Sequence, residues 1–202
     1  MFIWSSIAHL IALTSPGPDT AVTIRQVSLY GRNAGIFTSI GIGVGIYVHC
    51  FLAINGISLF ILENDLYKFS ISIIGSSYIF YLGISMLRSD SVTEYNQNNS
   101  QNSSIYGSFF SGLITNIFNV KAFIFFVSLF TILIDSIQGI FFYLYPIYFS
   151  ITSALWFMLL SFLLTASKTI NIHKNKLINY FLSAILCLIG LFIFIKSIYE
   201  YF

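Results

Sequence analysis

Four stretches of this chain carry no charge at all: 30 residues between Arg32 and Glu63, 19 between Lys68 and Arg88, 32 between Asp135 and Lys168, and 19 between Lys176 and Lys196. A helix needs about 20 apolar residues to cross a bilayer, so each gap is long enough, or nearly so, for one crossing. Only nine Lys or Arg and seven Asp or Glu occur in 202 residues, or 8% charged, against about 25% in a soluble domain. With 57% hydrophobic residues, too few polar groups remain to cover a water-facing surface. The chain reads as an all-α membrane protein. Its net charge of +2 is scattered through short loops and offers no nucleic acid a basic patch.

Six hydrophobic blocks follow: Phe2–Tyr30, Ala34–Leu62, Leu66–Leu87, Ile105–Ile134, Gly139–Ala166 and Leu177–Tyr199. The first fourteen residues lack a basic leader and a small-residue cleavage site, so they read as part of a first span. Lys and Arg concentrate after spans one, three and five (Arg25, Arg32, Arg88, Lys168, Lys174, Lys176), leaving Lys68 and Lys196 on the other side. The positive-inside rule then puts both termini outside the cytoplasm. Tyr67, Tyr143, Tyr145, Tyr199 and Tyr201 fit an interfacial aromatic belt on the outer side. Ser89–Ser104 is the one polar linker; it separates residues 1–88 from residues 105–202 within a single membrane domain. Three spans on each side of it make two units that must insert in opposite orientation, as inverted repeats. Gly75-Ser76-Ser77-Tyr78…Leu82-Gly83 and Leu182-Ser183-Ala184…Ile189-Gly190 are weakly alike, in keeping with such a repeat.

Ser15-Pro16-Gly17-Pro18-Asp19 interrupts the first block near its middle. Pro16 has no N–H for the carbonyl of Ala12, and Pro18 none for that of Thr14. Gly17 between them eases an unusual backbone turn. Pro18 suits the first position of a new helix, and Asp19 its positive end. Irregular backbone at this depth survives where it is buried in protein or lines a wet cavity. A mid-membrane carboxylate is a functional candidate by default.

Lys121 stands in the otherwise uncharged block Ile105–Ile134, and Asn116 and Asn119 lie close enough along the helix to offer it their amides. Asp19 and Lys121 take corresponding places in the two halves, as expected of a site at the midplane between repeats. Two readings stay open. In one, Lys121 meets a substrate carboxylate while Asp19 and the freed carbonyls of Ala12 and Thr14 meet its amino group. In the other, Asp19 and Lys121 form a permanent ion pair that holds the halves together.

Ser15-Pro16-Gly17-Pro18-Asp19-Thr20, Arg25, Gly31-Arg32-Asn33-Ala34-Gly35 and the Gly41…Gly45 spacing resemble the opening of the LysE/RhtB family of amino-acid exporters. Phe109…Gly112…Asn116…Asn119-Val120-Lys121-Ala122 resembles the family's Asn-Pro-Lys segment, with Val120 in place of the proline. The resemblance covers essentially the whole chain. It implies a multi-pass protein of the bacterial inner membrane that exports amino acids from the cytoplasm in exchange for protons, with no cofactor and no enzymatic activity. Its substrate-binding residues would be Ala12, Thr14, Pro16, Gly17, Pro18, Asp19, Asn116, Asn119 and Lys121. Asp19 and His49 would be the candidates for proton coupling, although a plain interhelical hydrogen bond also accounts for His49. A homo-oligomer is left open. Because Val120 keeps an N–H for the Asn116 carbonyl, any break in the fourth block is expected to be shallower than the one at Pro16–Pro18.

Other residues are less telling. His9 is a weaker candidate than His49, and His173 is a loop residue. Gly41-Ile42-Gly43-Val44-Gly45 lacks the strand and Lys-Ser/Thr of a nucleotide loop, and close helix packing explains it better. A thiol-redox carrier using Cys50 and Cys187 is the alternative class, but neither cysteine adjoins a helix break or a charge.

Overall fold

A computed structural model describes residues 2–15, 17–57, 60, 63–88, 105–133, 139–166 and 176–201. Pro16, the linker Ser89–Ser104, Lys168, His173 and Lys174 lie outside them. Every regular element among the described residues is helical: α1 (Phe2–Thr14), α2 (Pro18–Tyr30), α3 (Arg32–Ile54), α4 (Asp65–Arg88), α5 (Ile105–Ile117), α6 (Val120–Leu133), α7 (Phe141–Ala166) and α8 (Lys176–Tyr201). Helix α3, helix α7 and the Ser183–Tyr201 part of α8 are each long and apolar enough to cross a membrane. Helices α5 and α6 together make a fourth candidate, bent by 58° at its break. The second hydrophobic block is not one continuous helix. Helix α3 stops at Ile54, where Asn55 folds its amide onto the Phe51 carbonyl at 2.7 Å and Gly56 takes a positive φ, and the chain is helical again at Ile57 and Phe60.

The distribution of polarity is that of a protein in lipid. Large apolar side chains such as Phe51, Leu155, Leu163, Leu188 and Phe192 are exposed. Ser39, Thr38, His49, Asn116, Ser153 and Ser161 are buried inside. Water would drive the opposite arrangement, whereas hydrocarbon rewards outward apolar groups and inward paired polar ones.

Helix α3 is the hub, packing most heavily against α5 and α7, while α4 and α8 form the other extensive pair. Close approach of α3 and α5 depends on missing side chains. A Cβ on Gly41 would strike the Phe109 carbonyl, and one on Gly112 would strike the Thr38 carbonyl. Helices α4 and α8 meet in the same manner, with Gly83 against Cys187 and Gly190 against Phe80. These two glycines occupy like positions in the two weakly similar segments, and each admits the other's helix. The main core gathers Ile42, Ile46, Phe126, Phe130, Phe149 and Phe157 around α3, α6 and α7.

Helix α2 differs from what the charge count assumed. Arg25, assigned to a cytoplasmic loop, lies inside α2 and is only 9% exposed. Thr23, Gln26 and Ser28 are buried beside it. A segment this polar has no place against lipid, so the fold surrounds it with α3, α5, α7 and α8. The turn to α3 rests on Gly31, whose φ of 88° is a conformation that side chains disfavour. Tyr145 is not part of an exposed belt: it is 6% exposed and packs edge-on against Phe2. Pro146 sits within α7, and the helix continues through it.

Candidate functional site

Two helix breaks meet at one point. The first separates α1 from α2, and past it Gly17 precedes Pro18 and Asp19 in the first turn of α2. Gly17 has φ −173° and ψ −171°, extended backbone open to any residue, so its expected conformational freedom is not used. The second separates α5 from α6 at Phe118 and Asn119. There the Asn116 carbonyl accepts the Asn119 N–H at 2.9 Å and the His49 ring at 2.8 Å. The expected Val120 bond to that carbonyl is replaced by these two, and the bend is pronounced.

Asn119 has two tasks. Its side-chain oxygen accepts the backbone N–H groups of Lys121 (3.1 Å) and Ala122 (3.4 Å), capping α6 as asparagine does at many helix starts. Its amide nitrogen donates to Asp19 Oδ2 at 2.8 Å. Asn116 donates to the same oxygen at 2.9 Å. Both amides thus serve the carboxylate of the other half, not Lys121 as expected. Asp19 is 9% exposed, and a buried carboxylate needs such donors, each charge-assisted bond contributing about 1.5–3 kcal/mol. Its second oxygen, Oδ1, is buried with no hydrogen-bond partner among the described residues.

Lys121 reaches across to the first break. Its ammonium donates to the Ser15 carbonyl at 2.6 Å and the Ala12 carbonyl at 3.1 Å. The permanent Asp19–Lys121 ion pair is not formed: among the described residues the one ion pair within 4.0 Å joins Lys196 and Glu200 on the surface. Thr14 turns its hydroxyl to the Ile11 carbonyl at 2.7 Å and is exposed.

A cavity of about 40 Å3 lies between the breaks, with Asp19, Lys121, Asn119, Ala12, His9 and Phe126 in its wall. Ser15 and Lys121 line it and are exposed, so it opens there to the outside of the bundle. Its size admits a few water molecules. Its other walls are apolar, from Leu13, Ile46, Phe125 and Phe157.

His49 does not line this cavity. Because a carbonyl only accepts, the ring nitrogen Nε2 carries the hydrogen toward Asn116, which leaves Nδ1 as an acceptor buried without a partner among the described residues. His9, ranked below it in sequence, does line the cavity. It is 1% exposed, bonds Ser153 at 3.0 Å, and is packed by Phe126 and Phe149. The spacing of Ser5, His9 and Leu13, which gives α1 one buried face ending at the break, was the available signal. A second cluster was also missed: Ser108 lies 3.3 Å from the Gln26 side chain, and Thr38 donates to the Ser108 carbonyl at 3.1 Å. The polarity of Pro18–Tyr30 pointed to it. Cys50 is buried in the main core and Cys187 packs at Gly83; neither is in the cavity wall.

Apolar exterior, buried polar interior and a cavity between two helix breaks, with a carboxylate and an ammonium in its largely apolar wall, define a multi-pass membrane protein with the anatomy of a translocator. The family model for LysE type translocators matches residues 10–197, and the chain belongs to that family. It is accordingly a transporter and not an enzyme. Among similar proteins, the threonine efflux protein of Escherichia coli (strain K12) is 28% identical over 142 residues, 69% of each chain. That of Salmonella typhimurium is 29% identical over 143 residues, again 69% of each. An uncharacterized membrane protein of Haemophilus influenzae is 27% identical over 135 residues, 65% of this chain and 64%, just under two thirds, of that one. No solved structure matches this chain.

Proposed function

We propose that this chain exports amino acids, or close derivatives of them, from the cytoplasm across the bacterial inner membrane in exchange for protons. The observation that carries the reading is Asp19: a carboxylate held by two amides from the opposite half, beside a cavity shared with an ammonium. A zwitterion needs one anion and one cation a few ångströms apart, and these two groups supply them. The substrate ammonium would take Asp19 Oδ1 and the break carbonyls near Ala12 and Thr14; its carboxylate would take Lys121. Pro16, Gly17 and Pro18 shape the break, and Asn116 and Asn119 orient the carboxylate. Asp19 is the proton-coupling candidate, with His49 behind it through Asn116. The family and the naming of two relatives as threonine efflux proteins support the substrate class.

The two halves are read as inverted three-span repeats, each opening with a broken helix and continuing with two long ones. The reciprocal seating of Gly83 and Gly190 supports that symmetry. An amino acid is larger than the present cavity, so the wall made by α1 and Phe125 must part to admit it, as alternating access requires. Vesicles from expressing cells, loaded with a panel of radiolabelled amino acids and given or denied a proton gradient, test the proposal. Gradient-dependent release of at least one amino acid is expected. Release equal to that from empty-vector vesicles for the whole panel would sink it.

A further inference from the structure

The end of α1 offers an unusual ligand. The Ala12 carbonyl has lost its helical donor, since Pro16 carries no N–H. The carbonyls of Ala12 and Ser15 lie at the negative end of a half-helix, where cations are stabilised. In transporters with broken helices, such unwound carbonyls commonly coordinate a coupling cation such as sodium. Here the ligand belongs to the chain: the Lys121 ammonium lies 2.6 Å from the Ser15 oxygen and 3.1 Å from that of Ala12. Its tether is fixed at the base, because the Lys121 N–H is held by the Asn119 cap at 3.1 Å. The lysine stem passes directly over Gly17, where an added Cβ would meet it only at ordinary contact distance, 3.4 Å from Cδ and 3.6 Å from Nζ. Two of the three ammonium hydrogens are engaged by carbonyls, and the third remains for another acceptor.

We propose that the Ala12 and Ser15 carbonyls form a monovalent-cation site which Lys121 fills from within the chain, so that the transport cycle runs without sodium. When a substrate carboxylate draws Lys121 away, the substrate's own ammonium inherits the carbonyls, so the negative end of the half-helix keeps a cation in either state. The displacement step rests on the exporter reading; the cation site does not.

The test uses the full chain purified in detergent, with Lys121→Ala beside wild type. Melting is followed in sodium chloride, methylammonium chloride and choline chloride at equal ionic strength. Wild type should melt alike in all three. Lys121→Ala should gain several degrees, saturably, in sodium or methylammonium, because either ion can occupy the emptied site. Indifference of Lys121→Ala to these ions overturns the proposal, and so does an equal response by wild type. Should Lys121→Ala fail to fold, wild-type proteoliposomes decide. At a fixed proton gradient, efflux should be the same when choline replaces sodium, and a fall of about tenfold or more overturns the proposal. Absence of amino-acid efflux in both media would instead count against the export reading, and melts of Lys121→Ser in the same three salts would then judge the cation site, stabilisation by sodium or methylammonium supporting it and indifference overturning it.

Discussion

The side-chain amide of Asn119 lies 2.8 Å from Asp19 Oδ2, joining the break in the second half of the chain directly to the carboxylate at the break in the first. The same asparagine caps α6 through its oxygen. Any change that moves the start of α6 therefore moves a donor of Asp19. This coupling makes the two breaks one unit, and it shapes what substitutions should do.

Asp19→Asn keeps the size of the side chain and removes its charge. Proton-coupled efflux should fall by roughly 100-fold, equivalent to about 3 kcal/mol for a charge-assisted contact. Membrane insertion should be unchanged, as judged by the amount of protein in washed membranes. Efflux by the variant that still follows pH as wild type does would leave Asp19 a purely structural cap.

Lys121→Met preserves the apolar stem and deletes the ammonium. It should insert normally and lose export, since the partner for a substrate carboxylate is gone. Efflux from loaded vesicles is the measurement, and wild-type rates would remove Lys121 from the site.

Val120→Pro should be well tolerated, within about 1 kcal/mol of wild type in thermal melting. Position 120 is the first residue of α6, where proline fits, and the Asn116 carbonyl is already served by Asn119 and His49. Phe123→Pro should cost about 3 kcal/mol or more, because it deletes the N–H that bonds the Asn119 carbonyl at 3.0 Å. Equal losses for the two would contradict the assigned helix start.

Gly41→Ala and Gly112→Ala each place a methyl group against backbone of the opposing helix. Backbone yields little, so each should destabilise by roughly 1–3 kcal/mol. Gly17→Ala meets only the flexible Lys121 side chain at ordinary contact distance and should melt close to wild type. Detergent melting curves of the three variants provide the comparison.

Orientation is checked with Gln97→Cys in a Cys50→Ser, Cys187→Ser background. A membrane-impermeant thiol reagent should label it only after the cytoplasmic face is opened. Labelling in intact cells would invert the topology. Export by the background protein itself would dispose of a thiol-redox role.

Much of this protein was legible in its residues because the signals are local. Two prolines two positions apart withdraw donors from α1 in any environment. The charge-free runs demand lipid whatever the helices pack against, and the small residues of Gly41…Gly45 mark a close crossing wherever it falls. The bend before α6 was harder to read, since Val120 leaves a continuous helix chemically possible. In the folded bundle the Asn116 carbonyl is taken instead by the Asn119 N–H and by His49 from α3.

By itself, then, the sequence determined that the chain lies in a membrane, where its first helix is interrupted, and which polar residues must find partners inside. Tertiary structure alone decided who those partners are. Asp19 took both asparagine amides, from residues 97 and 100 positions away, and Lys121 took carbonyls 106 and 109 positions away. The two charges that looked like a pair were thereby satisfied apart, and His9 rather than His49 came to line the cavity. Periodicity records which face of a helix a residue occupies. Which helix lies opposite, at what height and with which group in reach, depends on how the whole bundle packs.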